Sequence, residues 1–214
     1  MLQIKRFEFW ANCYVVSDDT RECVIIDPCA RYRRERGYVK KYIKDAQLKP
    51  VRCLLTHAHY DHLLSCDKVR DDYGLYPEVH HGDKPWMNRV EKRIEEIFGQ
   101  GGFNHDVVQP QHFLDDGEII RFGHHELRVI HTPGHSPGSV VFYCSEEKVA
   151  FTGDTLFKKD IGRSDLLFGW DVDLQESLRR LIDMLPDDCM IWPGHDLEST
   201  IGFEKENNQF LKFS

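Results

Sequence analysis

The densest group of chemically competent side chains is the run Thr56-His57-Ala58-His59-Tyr60-Asp61-His62. It follows the apolar run Cys53-Leu54-Leu55 directly and places three imidazoles and one carboxylate in one loop. A solvated polar turn is the simpler interpretation for any single one of them. Four such groups together are electrostatically unfavourable without a cation, and imidazole and carboxylate are donors that zinc and iron accept. The run therefore predicts a metal site at the end of a strand.

Three further segments each place one candidate ligand after an apolar run. The candidates are His135, Asp154 and His195, in the segments His-Thr-Pro-Gly-His-Ser-Pro-Gly, Thr-Gly-Asp-Thr and Pro-Gly-His. A glycine stands beside each one and lets the backbone take a tight turn that directs the side chain inward. We expect one cleft to contain His57, His59, Asp61, His62, His135, Asp154 and His195.

Strands must position these candidate ligands, and the first half of the sequence predicts four such strands. Three short β-rich runs are followed by a Lys-rich helical stretch ending at Pro50, a buried strand and two helices, the first capped by Gly74. The predicted strands are Gln3–Phe9, Cys13–Ser17, Cys23–Asp27 and Val51–Leu55, and the predicted later helices are Leu63–Tyr73 and Pro85–Phe98.

The second half repeats this organisation. Its predicted strands are Glu118–Phe122, Glu126–Ile130, Ser139–Cys144, Val149–Phe151 and Cys189–Ile191, with a helix at Leu174–Leu185 and a C-terminal amphipathic segment. Two β-rich halves, each followed by helices, predict an α/β protein: a single αββα sandwich spanning residues 1–214. Residues 82–113 are predicted either as a lid or as a helix packed on the sheet.

Composition excludes several other classes of protein. The 214 residues are 41% hydrophobic and 30% charged, which is typical of a folded globular domain. A net charge of -8 leaves no basic stripe for nucleic acid, and no apolar run is long enough for a membrane span. Seven cysteines without a Cys-x-x-Cys pair predict reduced packing residues. We expect a cytoplasmic protein with a small-molecule substrate, and nothing in the sequence indicates its oligomeric state.

The four motifs together resemble the metallo-β-lactamase superfamily, and within it the hydroxyacylglutathione hydrolase (glyoxalase II) branch. The resemblance spans Asn12 to His195 and implies the four-layer αββα fold of that family. It also implies two metal ions, one held by His57, His59 and His135 and the other by Asp61, His62 and His195, with Asp154 bridging them. Zinc is the expected metal, and iron and manganese also suit the donors.

Such a site predicts hydrolysis of a thioester or related ester by a metal-activated hydroxide, which Asp61 would help to orient. Arg163, in the segment Gly-Arg-Ser-Asp, resembles the position that binds the glutathionyl carboxylate in this branch. Pairing with Asp160 or Asp165 to brace the loop is the alternative. Few residues follow His195, so we expect no counterpart of the helical C-terminal domain of full-length glyoxalase II.

A different reaction is also compatible with these motifs. Persulfide dioxygenases have the same ligand motifs and the Gly-Arg segment, but use one iron held by the counterparts of His57, His135 and Asp154. A phosphodiesterase is disfavoured because there is no basic groove. His131 is expected to support the site indirectly, and Phe168 and Trp170 are candidates for the pocket mouth. The histidines assigned to surfaces or loops are His80, His81, His105, His112, His124 and His125.

Overall fold

The computed structural model describes residues 1–99, 106–165 and 169–212, and two six-stranded sheets form the centre of that part of the chain. The first sheet has its strands in sequence order: β1 (Gln3–Glu8), β2 (Asn12–Ser17), β3 (Glu22–Ile26), β4 (Lys49–Leu54), β5 (Pro77–His80) and β6 (His112–Leu114). The strands of the second sheet are β7 (Ile119–Phe122), β8 (His125–His131), β9 (Val140–Cys144), β10 (Val149–Gly153), β13 (Met190–Pro193) and β14 (Ser199–Thr200). Along the sequence, β10 is followed by two short strands, β11 (Leu156–Phe157) and β12 (Asp160–Ile161), which pair as a separate antiparallel ribbon.

Helices cover the outer faces of both sheets. Those on the first sheet are α1 (Arg33–Asp45), α2 (Cys66–Tyr73), α3 (Lys84–Met87) and α4 (Val90–Phe98), and those on the second are α5 (Asp171–Met184) and α6 (Ile201–Asn207). Short 3-10 helices occur at Tyr60–His62, His81–Asp83 and Gln209–Leu211. No helix in the described ranges has the length and apolar character needed to cross a membrane.

The layers follow from the two-residue period of the strands. Along β3, Val24 and Ile26 face the second sheet, whereas Ile25 between them packs under the helices. In β9, Val140 and Phe142 likewise face the first sheet. Because alternate side chains point to opposite faces, strands buried on both sides are apolar throughout, and three stacked cores result. The predicted four-layer αββα sandwich is confirmed.

Several predicted boundaries were wrong. The first helix ends at Asp45, not at Pro50, because Gln47 adopts a left-handed conformation (φ 53°) and Pro50 lies inside β4. The predicted helix Leu63–Tyr73 begins only at Cys66, although Gly74 caps it as expected (φ 70°). The segment 85–98 contains two helices, α3 and α4, and Val90 and Ile94 of α4 are buried in the outer core.

Two histidines assigned to the surface are buried. His80 lies in β5 with 2% of its surface exposed, and His125 lies in β8 with 6% exposed. Burial is possible because each ring has polar partners: His80 accepts a hydrogen bond from Gly82 N, and His125 bonds to two carboxylates. His81, His112 and His124 are exposed as expected, and His105 lies outside the described residues. All seven cysteines are free and buried, which confirms their assignment as packing residues.

Candidate metal centre

The seven predicted ligands all follow strands that end at one edge of the sandwich. His57 and His59 come just after β4, and Asp61 and His62 occupy the 3-10 turn that follows. In the second sheet β8, β10 and β13 run in the same direction, so their carboxyl ends share an edge. His135 follows β8, Asp154 follows β10 and His195 follows β13. The backbone N–H of Val140 donates to Thr56 O at 2.9 Å and joins the two sheets there.

The structure brings these seven side chains together. Three overlapping groups have all of their ligand atoms within 4.8 Å of one another: His57, His59 and His135; His57, His62 and Asp154; and Asp61, His62 and His195. Asp154 lies between the others. Its Oδ1 is 3.4 Å from Nε2 of His62, and its Oδ2 is 3.5 Å from Nε2 of both His135 and His195.

Unpaired polar atoms within the cluster indicate that its residues fit a cation. Nε2 of His57, His59 and His62 and Oδ1 of Asp154 are buried and have no hydrogen-bond partner. Leaving such atoms unpaired costs about 1–3 kcal/mol each. A divalent ion accepting the lone pairs of His57, His62 and Asp154 would remove that cost, and mixed imidazole and carboxylate donors suit zinc or iron.

Hydrogen bonds on the far side of the rings set their tautomers. Nδ1 of His62 lies 3.0 Å from Asp27 Oδ2, and Nδ1 of His135 lies 2.7 Å from Arg163 O. Both partners only accept, so each Nδ1 carries a proton and each Nε2 faces the cleft. In His135, Nε2 lies 2.8 Å from Nδ1 of His59. Thr56 Oγ1 donates to Asp27 Oδ2 at 2.7 Å, and it therefore accepts from Nδ1 of His57 at 3.1 Å.

Two buried carboxylates that the sequence analysis missed hold the ligand loops. Asp27 also accepts from Thr56 N at 2.8 Å, and its left-handed backbone (φ 50°) is one that aspartate tolerates. Asp83 accepts from Ala58 N at 2.7 Å and from Gly138 N at 2.6 Å, so it ties the loop of His57 to the loop of His135. Asp27 could have been found because it ends a buried apolar run, as the ligands do. Asp83 had no such signal.

Electrostatics in the cleft favour a cation. Burial lowers the pKa of His57 well below its ordinary value and that of His59 to about 3, and neighbouring imidazoles add to both shifts. Burial alone would raise the pKa of Asp154, but His62 and the other imidazoles outweigh it and hold that pKa well below its usual range. Burial would lower the pKa of His195, yet Asp61 and Asp154 raise it. Asp154 and Asp27 likewise raise the pKa of His62 against the effect of burial. Asp154 is therefore ionised, and the cleft favours positive charge beside it.

Two glycines are required by the close packing of this cleft. A Cβ on Gly194 would lie 2.2 Å from Asp154 Oδ1 and 2.7 Å from Cε1 of His62. One on Gly162 would lie 1.7 Å from Asp154 O. A side chain at Gly194 would displace the Asp154 carboxylate, and one at Gly162 would displace the Asp154 backbone, so glycine is needed here for close approach.

The Arg163 side chain is exposed and pairs with a carboxylate outside the cluster. Its guanidinium is 70% exposed and pairs with Asp165, with Nε 2.9 Å from Oδ1 and Nη2 3.1 Å from Oδ2. Its backbone carbonyl, by contrast, contacts His135. Trp170 is also exposed (65%), and Phe168 lies outside the described residues. Substrate binding by Arg163 stays a prediction.

His131 acts on the site through a loop. Its Nε2 donates to Pro137 O at 2.8 Å, across the turn that carries His135, and its ring stacks on that of His80 with centroids 4.0 Å apart. These contacts brace the His135 loop without placing His131 in the cleft.

Comparison with known proteins extends the resemblance. The family model of the metallo-beta-lactamase superfamily matches residues 9–195. The chain is 34% identical over 205 residues to the "probable metallo-hydrolase YqgX" of Bacillus subtilis, covering 94% of this chain and 92% of that protein. It is 34% identical over 204 residues to the "hydroxyacylglutathione hydrolase GloC" of Haemophilus influenzae, covering 95% and 93%.

Solved structures agree with this assignment. The crystal structure of BLEG-1 B3 metallo-beta-lactamase superposes with a TM-score of 0.85 at 32% identity, covering all of both chains. TTHA1623 in a di-iron-bound form superposes with a TM-score of 0.80 at 30% identity, covering 98% of this chain and all of that one. The fold together with the His and Asp cluster implies divalent metal ions. From the family match, the fold and the cluster at the strand ends, the chain belongs to the metallo-β-lactamase superfamily.

Proposed function

We propose that this protein is a binuclear metal-dependent hydrolase that cleaves a thioester of the hydroxyacylglutathione class. The observation that carries the proposal is the central position of Asp154, whose carboxylate lies 3.4–3.5 Å from imidazoles of both proposed ligand sets, His135 in one and His62 and His195 in the other. A bridging carboxylate is the arrangement expected between two ions. The similarity to GloC supports a thioester as the substrate.

The residues divide into two sets under this proposal. His57, His59 and His135 would hold one ion, and Asp61, His62 and His195 the other, with Asp154 shared. Divalent ions bound there supply Lewis acidity, which acidifies a water molecule and polarises the substrate carbonyl. Asp61, whose side chain is 17% exposed, would accept a hydrogen bond from such a water and orient it.

Differences in exposure indicate where the substrate enters. The side chains of His195 and Asp61 are 30% and 17% exposed, whereas His135 is 5% exposed and His62 is fully buried. The substrate therefore approaches from the side of His195 and Asp61. Arg163 is proposed to bind an anionic part of the substrate, which requires its guanidinium to leave Asp165.

Metal analysis combined with a substrate panel tests the proposal. Purified protein should contain two metal ions per chain and cleave S-lactoylglutathione, and Asp154→Ala should lose both metal and activity. The panel also contains a lactone, a phosphodiester, a β-lactam, because BLEG-1 is named a β-lactamase, and glutathione persulfide. One iron per chain with persulfide-dependent oxygen uptake would contradict the proposal and favour the dioxygenase. Zinc, iron and manganese are each compatible with the donors, and metal analysis identifies which is bound.

A further inference from the structure

An aromatic cluster with one arginine flanks the more exposed side of the metal centre. Trp10, Tyr60 and Phe98 contact one another edge to face, with ring centroids 5.6 to 6.1 Å apart. The guanidinium carbon of Arg31 lies 4.1 Å from the Phe98 centroid, 5.0 Å from Tyr32 and 5.5 Å from Trp10. Three rings therefore hold one cation in place.

Two chain connections tie this cluster to the metal centre. Tyr60 lies between His59 and Asp61, in the ligand turn itself. Trp10 precedes Asn12 by two residues, and Asn12 bonds to the His195 loop: its backbone N–H donates to Gly194 O at 2.7 Å and its Nδ2 to Pro193 O at 2.9 Å. The cluster thus borders the side from which the substrate is expected to enter.

Arg31 has no ion-pair partner in the part of the chain that the structure describes. Within residues 1–99, 106–165 and 169–212, no carboxylate lies within ion-pair distance of its guanidinium, whereas Lys40 and Lys41 of α1 pair with Asp72 and Asp45. Glu35, four residues later, accepts hydrogen bonds from the backbone N–H groups of Arg31 and Tyr32 through one carboxylate oxygen. Arg31 is half-buried with its guanidinium carbon against three rings, and a guanidinium in this setting can donate its N–H groups to an anion.

The exposed rings beside Arg31 indicate which group a ligand would carry next to its anion. Trp10 is 43% exposed and Tyr32 57% exposed, which is unusual for such large rings. Together they form an apolar wall that ends in a cation. Such a surface suits a ligand with a carbon chain and a terminal carboxylate.

We propose that Arg31, held by Trp10 and Phe98, binds a carboxylate on the thiol portion of the substrate and is a specificity-determining residue. This inference rests on the proposed thioesterase function. A carboxylate bound bidentately to a guanidinium there would hold the thioester beside Asp61 and His195, while the rings contact its carbon chain.

The kinetic test compares two thioesters that differ only in the carboxylate. These are the lactoyl thioesters of N-acetylcysteine, which has the carboxylate, and of N-acetylcysteamine, which lacks it. Arg31→Gln should raise KM for the first by about tenfold or more and leave the second within about twofold. Arg31→Lys should restore only part of the KM for the N-acetylcysteine thioester, because an ammonium group lacks the planar pair of N–H donors that binds a carboxylate bidentately. Equal losses on both thioesters would overturn the proposal.

Arg33→Gln is the matched control. Arg33 is exposed at the start of α1 and its replacement removes the same charge two residues away, so it should leave both KM values unchanged. If Arg33→Gln and Arg31→Gln act alike, general surface charge explains the effect and the proposed site is refuted. Thermal unfolding of each variant detects any loss of folding.

A binding measurement separates this inference from the proposed function. S-methylglutathione is a thioether that cannot be hydrolysed, and calorimetry on metal-loaded protein can compare it with its diester. Binding weakened by Arg31→Gln for the diacid alone, in a protein that cleaves no thioester, would support the carboxylate site and contradict the thioesterase. If the protein cleaves thioesters but Arg31→Gln leaves binding of the diacid unchanged, the thioesterase function is supported and the carboxylate site is refuted.

Discussion

Replacing Asp27 by asparagine should weaken metal binding without touching a ligand. Asp27 Oδ2 accepts from Nδ1 of His62, and its Oδ1 accepts from Thr56 N. If the new amide nitrogen faces His62, that ring must accept at Nδ1 and carry its proton at Nε2, where the metal is expected. If it faces Thr56 N, two donors are opposed in a buried position. Neither orientation preserves the native hydrogen bonds.

The expected losses of metal affinity and of unfolding free energy follow from these contacts. Loss of a partner behind a metal-binding imidazole costs about 10–100-fold in affinity, or about 1.4–2.8 kcal/mol. The metal-free protein should also lose about 1.5–3 kcal/mol of unfolding free energy, the contribution of a buried hydrogen bond to a charged group. Competition with a chromophoric chelator measures the first quantity, and urea unfolding of metal-free protein measures the second.

Asp18→Asn provides a matched control. Asp18 is also buried, and its carboxylate has the same kinds of partner as Asp27. It accepts hydrogen bonds from the backbone N–H and the hydroxyl of Thr20 and from the imidazole of His125. It follows β2 at the end away from Asn12 and the metal centre. Asp18→Asn should lower stability but leave metal affinity unchanged. Wild-type metal affinity in Asp27→Asn, or an equal loss of affinity in both variants, would refute the tautomer mechanism.

Three further results are expected. Gly194→Ala places a Cβ 2.2 Å from Asp154 Oδ1, so elemental analysis should show loss of metal while circular dichroism shows a folded chain; full occupancy would refute the close-packing argument. The pKa of His125 is raised because hydrogen bonds to two carboxylates outweigh burial. Its stabilisation should be complete below about pH 6.5 and fall as pH rises through that raised value, so the difference in urea stability between wild type and His125→Gln should shrink as pH rises above about 6.5; a difference that stays constant with pH would contradict this. Arg163→Ala should raise KM for an acidic thioester with metal content unchanged, whereas lower stability and metal content with KM unaltered would identify the Asp165 pair as a loop brace.

The ligand residues were accessible from the sequence because they are dense and follow strong strand patterns. His57, His59 and His62 share one loop, and a glycine beside His135, Asp154 and His195 identifies the other turns. The layer architecture was equally accessible, since apolar runs buried on both faces require cover on both sides.

Residues that support the site were harder to find, because a single buried polar residue looks like any other. Asp83 has three hydrogen bonds that join distant loops, and none of them leaves a local pattern. His125 was placed at the surface because its carboxylate partners, Asp18 and Glu147, come from other segments. His80 bonds locally to Gly82, but its burial depends on packing that includes the distant ring of His131. The short strands β5 and β6 depend on pairing with neighbours more than on their own composition.

Anomalous diffraction from crystals of the metal-loaded protein tests the central claim most directly. We expect two peaks about 3.5–4 Å apart. Asp154 should lie between them, with His57, His59 and His135 around one peak and Asp61, His62 and His195 around the other. A single peak at full loading, or a second ion held by residues outside this set, would contradict the binuclear site.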